Sequence, residues 1–436
     1  MNGERVGTWS VLHGEHVFDY DADWLHSPRF RALSLSLPFT GASIKGDGVG
    51  WFFDNLLPDN PGIRQRIQAR FKTRQADAFS LLEAIGRDCV GAVQLMPGEM
   101  EPQGWNRIQA RPLQEGDVAA ILRNLQNPLQ ERGVDDGDFR ISLAGAQEKT
   151  ALLHTGNQWW LPQAATPTTH ILKLPLGNVG GSGIALHHSV ENEWLCSCLI
   201  AALGLPIAQT DIGRFEEQTA LVVQRFDRAW ARTAEAETGD YLLRIPQEDM
   251  CQTFGIPAAL KYQADGGPQP ERILELLGQS RNAADRSVFA LSQFAFWLLA
   301  APDGHAKNFS IFLERGGSIS MTPLYDVLSM FPYMGNKAGQ VHARKLKLAM
   351  RLPHQAGGDY AMQSIQTRHW QRFAHSAGGE VLWQRIVAMG HAVDGVLEQQ
   401  QARLPANFPT QIWETIAHGM REQARRFLAP LKSSLS

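Results

Sequence analysis

Cysteine is scarce. The chain of 436 residues has four, Cys89, Cys196, Cys198 and Cys251, too few in so long a protein for a disulfide framework. Cys196 and Cys198 stand two apart in an apolar helical run and so face different ways. No second Cys or His pair lies at ligand spacing, so the thiols read as buried rather than zinc-binding. An excess of charge is also missing. The formal net charge is −3, which excludes the global basic field of an obligate nucleic-acid binder but leaves room for a local basic patch. Long hydrophobic runs are lacking too. The longest, Phe289 to Pro302, is broken by Ser292 and Gln293 and is too short to span a bilayer, so it reads as a buried helix. The opening MNGERVGTWSVLHG is neither a signal nor a transit peptide. A cytoplasmic protein with reduced thiols and no membrane partner is expected. No internal repeat or low-complexity tract interrupts the chain.

Apolar content is ordinary for a globular protein at 44%, and the length suits two or three domains. Alternating apolar and polar positions in RVGTWSVL, HVFDYD and ALSLSLPF predict short antiparallel strands. From Gly50 to Ile85 the period becomes helical, with a break marked by Asn55, Pro58, Asp59 and Pro61. GRDCVGAVQLMP reads as a return to strand, and residues 98–115 as a connector. Further on, RISLAG, KTALLHT, Trp159–Leu161 and HILKLPL predict strands. Ser189 to Leu203 predicts an amphipathic helix closed by Gly204 and Pro206, and ALVVQRF a short buried strand. Beyond about residue 245 the pattern is mostly helical, with one β-rich interruption from Asn308 to Tyr325.

The sharpest chemical signal is Asp303-Gly304-His305-Ala306-Lys307-Asn308, followed by FSIFL and then Tyr325-Asp326. Phosphoryl transfer needs an acceptor hydroxyl in line with the γ-phosphate and a divalent metal to offset phosphate charge. Kinases meet this with an Asp on a loop, an Asn five residues later and a metal-binding Asp after a short hairpin. Here Asp303 is the candidate base, and Asn308 and Asp326 are hard oxygen ligands suited to magnesium. Phe309–Leu313, Gly316–Gly317 and Ser318–Thr322 supply the hairpin between them.

Lys173 lies among apolar strand residues, where an ammonium without a partner would be costly. A kinase uses such a lysine on the ATP phosphates and pairs it with a helix glutamate. Glu193 is the natural partner here and Glu191 the reserve. Ala144-Gly145-Ala146-Gln147-Glu148-Lys149 joins two expected strands. Its small residues would let backbone N–H groups approach phosphate, a weak signal alone. Gln224-Arg225-Phe226 stands where a hinge would meet an adenine edge, with Asp227 near the ribose.

In this order, RISLAGAQEKTALL, PTTHILKLP, ENEW, VVQRFDR, RIPQEDMCQTFG, DGHAKNFSIF and TPLYDVLS resemble the HipA family of serine/threonine kinase toxins. WFFDNLLPD and GRDCVGAV resemble that family's amino-terminal domain, so the likeness covers nearly the whole chain. It implies an α+β, protein-kinase-like two-lobed fold. An N-terminal β-rich subdomain would span 1–110, a nucleotide-binding lobe 111–226, and an all-helical C-terminal lobe with the catalytic loop 227–436. It further implies that Ala144 to Lys149 bind phosphate, Lys173 contacts ATP, and Gln224, Arg225 and Phe226 hold adenine. His305, Ala306, Lys307, Asn308, Tyr325 and Asp326 would line the ATP and Mg2+ site. Ser142 matches the serine these kinases autophosphorylate, and a phosphate there, repelled by ATP or captured by Arg140, would eject the loop and switch the enzyme off. Implied partners are a HipB-type helix-turn-helix antitoxin, operator DNA through that antitoxin, and a translation component such as glutamyl-tRNA synthetase or another aminoacyl-tRNA synthetase. The family's amino-terminal domain usually opens with one more strand than precedes RVGTW here. The insertion from Asn178 to Gly183 reads as a glycine-rich loop.

Two other readings stand beside this one. A small-molecule phosphotransferase shares the Asp-to-Asn spacing but needs an acidic polyol pocket, whereas His342 to Lys347 is basic. A non-catalytic co-repressor would use Arg368, His369, Arg372, Arg421, Arg425 and Arg426 on phosphates, and that role is compatible with catalysis.

Overall fold

The computed structural model describes residues 1–98, 100–126, 142–145, 147–179, 184–232, 240–352 and 360–433. The chain groups into two compact units. The first comprises Met1–Leu174, Gly213–Leu260 and Ser310–Ile319. The second comprises Pro175–Ile212, Lys261–Phe309 and Ser320–Ser436. The units follow packing rather than chain order, so the hairpin after Asn308 falls largely in the first unit and the helix with Glu193 in the second.

In the first unit, Gly7–Leu12 and Glu15–Tyr20 pair antiparallel as their alternation predicts. The third strand is Ile44–Lys45, not ALSLSLPF. That segment buries Leu33 and Leu37, but the hydroxyls of Ser34 and Ser36 both donate to the Gln252 carbonyl. Its period of two is spent on docking, with a single Ser34–Leu37 bridge and no ladder. Helices Asp47–Asp54, Pro61–Phe71 and Ala78–Ile85 follow, with the predicted break between the first two. Asn60 caps the second through its side chain, with Pro61 in the first turn. Phe52, Phe53, Leu57, Leu81 and Leu82 form the core of this part.

A six-stranded sheet comes next, in the order Thr210–Phe215, Gln218–Gln224, His170–Lys173, Lys149–Thr155, Gln158–Pro162, Ala110–Leu113. Leu152, Leu172, Ala220 and Val222 pack on one face against Val118, Ile121 and Leu122 of the helix Glu115–Gln126. The hairpin Ser310–Leu313 and Ile319–Met321 turns at Gly316 and Gly317, both at positive φ, and gains Gln247–Asp249 as a third strand.

The second unit is nearly all helix: Ser189–Ala202, Asp285–Leu298, Thr367–Gln401 and Thr410–Ser433 carry it. Phe294 lies edge-on to Trp370 at 5.0 Å and tilted on Phe427 at 4.8 Å, so the Asp285–Leu298 helix is buried as its composition predicts. Among the described residues no helix is long and apolar enough to cross a membrane.

Candidate active site

The catalytic loop grows from the buried end of Asp285–Leu298. Leu299 caps that helix, and Ala300 turns the chain at φ 48°. A Cβ on Gly304 would lie 2.7 Å from the Phe296 ring, so only glycine fits there. The His305 N–H then donates to the Asp303 carbonyl at 2.8 Å, and the Asn308 N–H to the His305 carbonyl at 2.9 Å. Asn308 Nδ2 donates to the Asp303 carbonyl at 2.7 Å, which turns its amide oxygen towards the other side. His305, Lys307 and Asn308 are buried, while the Asp303 side chain is 59% exposed. The loop thus presents one carboxylate to solvent from a rigid base.

Tyr325 Oη donates to the Lys307 carbonyl at 2.8 Å, which ties the second half of the motif to the first. Asp326 follows at φ 62°, a left-handed conformation uncommon for non-glycine residues and concentrated at functional sites. An amide oxygen and a carboxylate form a hard donor set that fits magnesium, which takes its remaining ligands from water and phosphate. Burial lowers the His305 pKa, Asp303 and Asp326 pull it up, and Lys261 pushes it down. That imidazole therefore stands within electrostatic reach of both carboxylates, and burial disfavours its charged form.

The residues from Ala144 to Lys149, Lys173 and Gln224 to Phe226, expected to hold the nucleotide, lie in the first unit. Strand alternation places Lys149, Ala151, Ile171, Lys173, Leu221 and Val223 on the sheet face opposite the helix-covered core. Lys149 and Lys173 are directly opposite one another in the ladder. Lys173 is buried at 7% exposure, not on a wet face. The two ammonium groups are thus carried on the same face of the sheet. Gly145 turns at φ 108°, and a Cβ there would sit 2.6 Å from Lys149 Nζ. The Gln147 amide donates to the Leu174 carbonyl, and Glu148 pairs with Arg66. Ala146 and Arg140 lie outside the described residues. Glu193 is buried on its helix, whereas Glu191 is partly exposed beside His188.

At the expected hinge, Gln224 pairs with His170 in the ladder and the Arg225 N–H donates to the Thr169 carbonyl at 2.9 Å. Phe226 lies edge-on to Phe312 at 6.0 Å. The Arg225 side chain is buried. It joins Asp88, Asp227, Arg228 and Arg244 in a buried ionic knot. Asp227, expected beside the ribose, is 3% exposed and bonded to Arg225 and Gly91 N–H. Burial alone would raise the Asp88 carboxyl, but Arg228, Arg244 and Arg225 hold it well below the usual carboxylate range.

This knot explains a second correction. GRDCVGAVQLMP forms no strand beyond a single bridge position at Asp88, because several of its backbone carbonyls are taken by side chains. The Cys89 carbonyl accepts from Arg225 and Arg228, and the Gly91 carbonyl from Arg228. RISLAG likewise has no ladder in its described part, Ser142 to Gly145, beyond one bridge from Gly145 to Pro58. Ser142 is fully buried; its Oγ donates to the Leu56 carbonyl at 2.8 Å and its N–H to the Asp88 carbonyl at 3.2 Å. Burial pushes the Cys89 thiol up to about 12 and raises that of Cys196, consistent with inert thiols.

Sequence comparison agrees with this geometry. Residues 1–96 match the HipA N-terminal domain and residues 141–408 the HipA-like C-terminal domain. The protein Y4mE of Sinorhizobium fredii is 33% identical over 383 residues, covering 86% of this chain and 84% of that one. The serine/threonine-protein kinase toxin HipA of Shewanella oneidensis is 30% identical over 346 residues, 74% of each chain. The solved complex of Shewanella oneidensis HipA, HipB and operator DNA superposes with a TM-score of 0.77 at 24% identity, over 98% of this chain and 97% of that one. The ordered motifs, the matched domains and the shared fold agree: the chain belongs to the HipA family of kinase toxins.

Proposed function

We propose that this kinase uses ATP and Mg2+ to phosphorylate serine or threonine on a translation component, such as an aminoacyl-tRNA synthetase, and thereby arrests growth. Asp303 takes the proton of the acceptor hydroxyl as its oxygen bonds the γ-phosphorus and the bond to the ADP oxygen breaks. Asn308 and Asp326 hold the magnesium, which supplies charge neutralisation to the phosphates when bound. Lys149 and Lys173 receive the phosphates, with the Ala144–Lys149 turn beside them and Gln224–Phe226 along the adenine. In this reading Ser142 is the autophosphorylation site, and a HipB-type antitoxin links the protein to operator DNA and to co-repression of its own operon. The observation that carries the kinase chemistry is the exposed Asp303 carboxylate on a loop otherwise buried and tied through Asn308 and Tyr325.

Intact mass after incubation with Mg-ATP, with the modified peptide mapped, tests it. One added phosphate on Ser142, absent from Asp303→Ala, is the expected result. A folded Asp303→Ala protein that still gains the phosphate would remove the role of that residue. A phosphate mapped only elsewhere would remove the role of Ser142.

A further inference from the structure

The geometry points to Tyr262 as a positioning residue for phosphoryl transfer, one that fixes the Asp303 carboxylate for the acceptor hydroxyl. The inference rests on the kinase reading above and adds a residue that none of its motifs contains. Tyr262 Oη donates to Asp303 Oδ1 at 2.5 Å. This is the short distance of a charge-assisted bond to a carboxylate. It engages the one loop side chain that solvent reaches freely.

The phenol is itself held firmly. The Ala306 N–H donates to the Lys261 carbonyl at 3.0 Å, which sews the segment before Tyr262 to the catalytic loop. The Gln263 N–H donates to the Ala349 carbonyl at 3.2 Å, and the Ala349 N–H to the Pro302 carbonyl at 2.9 Å. The Tyr262 ring stands edge-on to His305 at 5.0 Å, and the Lys261 ammonium lies 5.6 Å from its centre. Two segments distant in sequence, around Tyr262 and Ala349, therefore converge on the loop that carries Asp303, and Tyr262 is the residue among them that reaches its side chain.

An exposed aspartate on its own samples several rotamers. A base must keep within hydrogen-bond reach of one proton. Tyr262 occupies Oδ1, and Asn308 fixes the backbone of the same residue. Oδ2 is then the oxygen presented to the acceptor, with His305 Nε2 at 4.0 Å on its flank. During transfer the phenol keeps its own proton, and the acceptor's proton goes to Oδ2.

Steady-state kinetics on the full chain, with the mapped phosphoacceptor as readout, test this. Tyr262→Phe should lower kcat by about 10²-fold while KM for ATP stays within about twofold and the melting curve is unchanged. Ring-fluorinated tyrosines at 262 keep the shape of the side chain and strengthen the donor. They should shift kcat in graded steps where Tyr262→Phe only removes it. A folded Tyr262→Phe enzyme with wild-type kcat overturns the inference. So does a loss of kcat matched by a loss of melting temperature and insensitive to fluorination, which would make Tyr262 a packing residue. A wild-type chain that transfers no phosphate to itself or to proteins of a cell extract overturns the kinase reading first, and this role with it.

Discussion

At the scale of single residues, the sheet face with two lysines in register makes the clearest demand. Lys149 and Lys173 stand opposite one another in the ladder, and Lys173 is buried there. Lys173→Ala should weaken Mg-ATP binding by roughly 10- to 100-fold, the order of one charge-assisted contact at 1.5–3 kcal/mol, as read by calorimetry. The thermal shift that ATP induces should shrink with it. An unchanged affinity would move the phosphates elsewhere. Gly145→Ala tests the turn below them. Its φ of 108° disfavours any L-residue, and its Cβ would crowd Lys149 Nζ. The expected outcome is a raised KM for ATP together with a lowered melting temperature. That Asp303 and Asn308 would meet on one loop was legible in the sequence because their spacing is local. Tyr262 was not, because 41 residues separate it from the carboxylate it binds, and no short motif encodes such a contact.

At the scale of elements, local pattern succeeded where hydrogen bonds run within an element. The helix breaks at Asn55–Pro61 and the Gly316–Gly317 turn fall where their residues demanded. It failed where backbone groups serve distant side chains. GRDCVGAVQLMP and ALSLSLPF both read as strands, yet arginine side chains take carbonyls of the first and the serines of the second dock on the Gln252 carbonyl. The ionic knot that displaces the first of them should be costly to break. Asp88→Asn leaves Arg225, Arg228 and Arg244 with Asp227 as the one remaining carboxylate of the knot. Removing one partner from a buried ion pair costs about 3–5 kcal/mol, so a fall of that order in unfolding free energy by denaturant titration is expected. A stability within experimental error of wild type would mean that the arginines find other partners.

At the scale of the whole molecule, one buried acid sets a pH dependence. Glu248 is fully buried, and its Oε1 accepts from the Leu35 N–H at 3.1 Å. Burial raises its pKa to about 7, opposed in part by bonds from Ser34 and Leu35. The folded state therefore holds this proton more tightly than the unfolded chain does. Stability from this group is full below the unfolded value near 4.5 and is lost as pH rises through about 7. The loss approaches roughly 3 kcal/mol above that window. Glu248→Gln should flatten that slope and leave the protein more stable than wild type at pH 8, as measured by denaturant titration across pH. A slope that survives the substitution would assign it to other groups.

The ionic knot has a further consequence for how the gene can be divided. Asp88 lies in the segment matched by the amino-terminal domain, and its three arginines lie in the segment matched by the carboxy-terminal one. Expressed alone, the amino-terminal segment would lose all three arginine partners of Asp88, and the carboxy-terminal segment would leave three arginines with Asp227. Residues 1–96 and 97–436 produced from separate genes should each aggregate, while co-expression should return a soluble, active pair. The charge pattern would then serve as the key by which two fragments recognise each other.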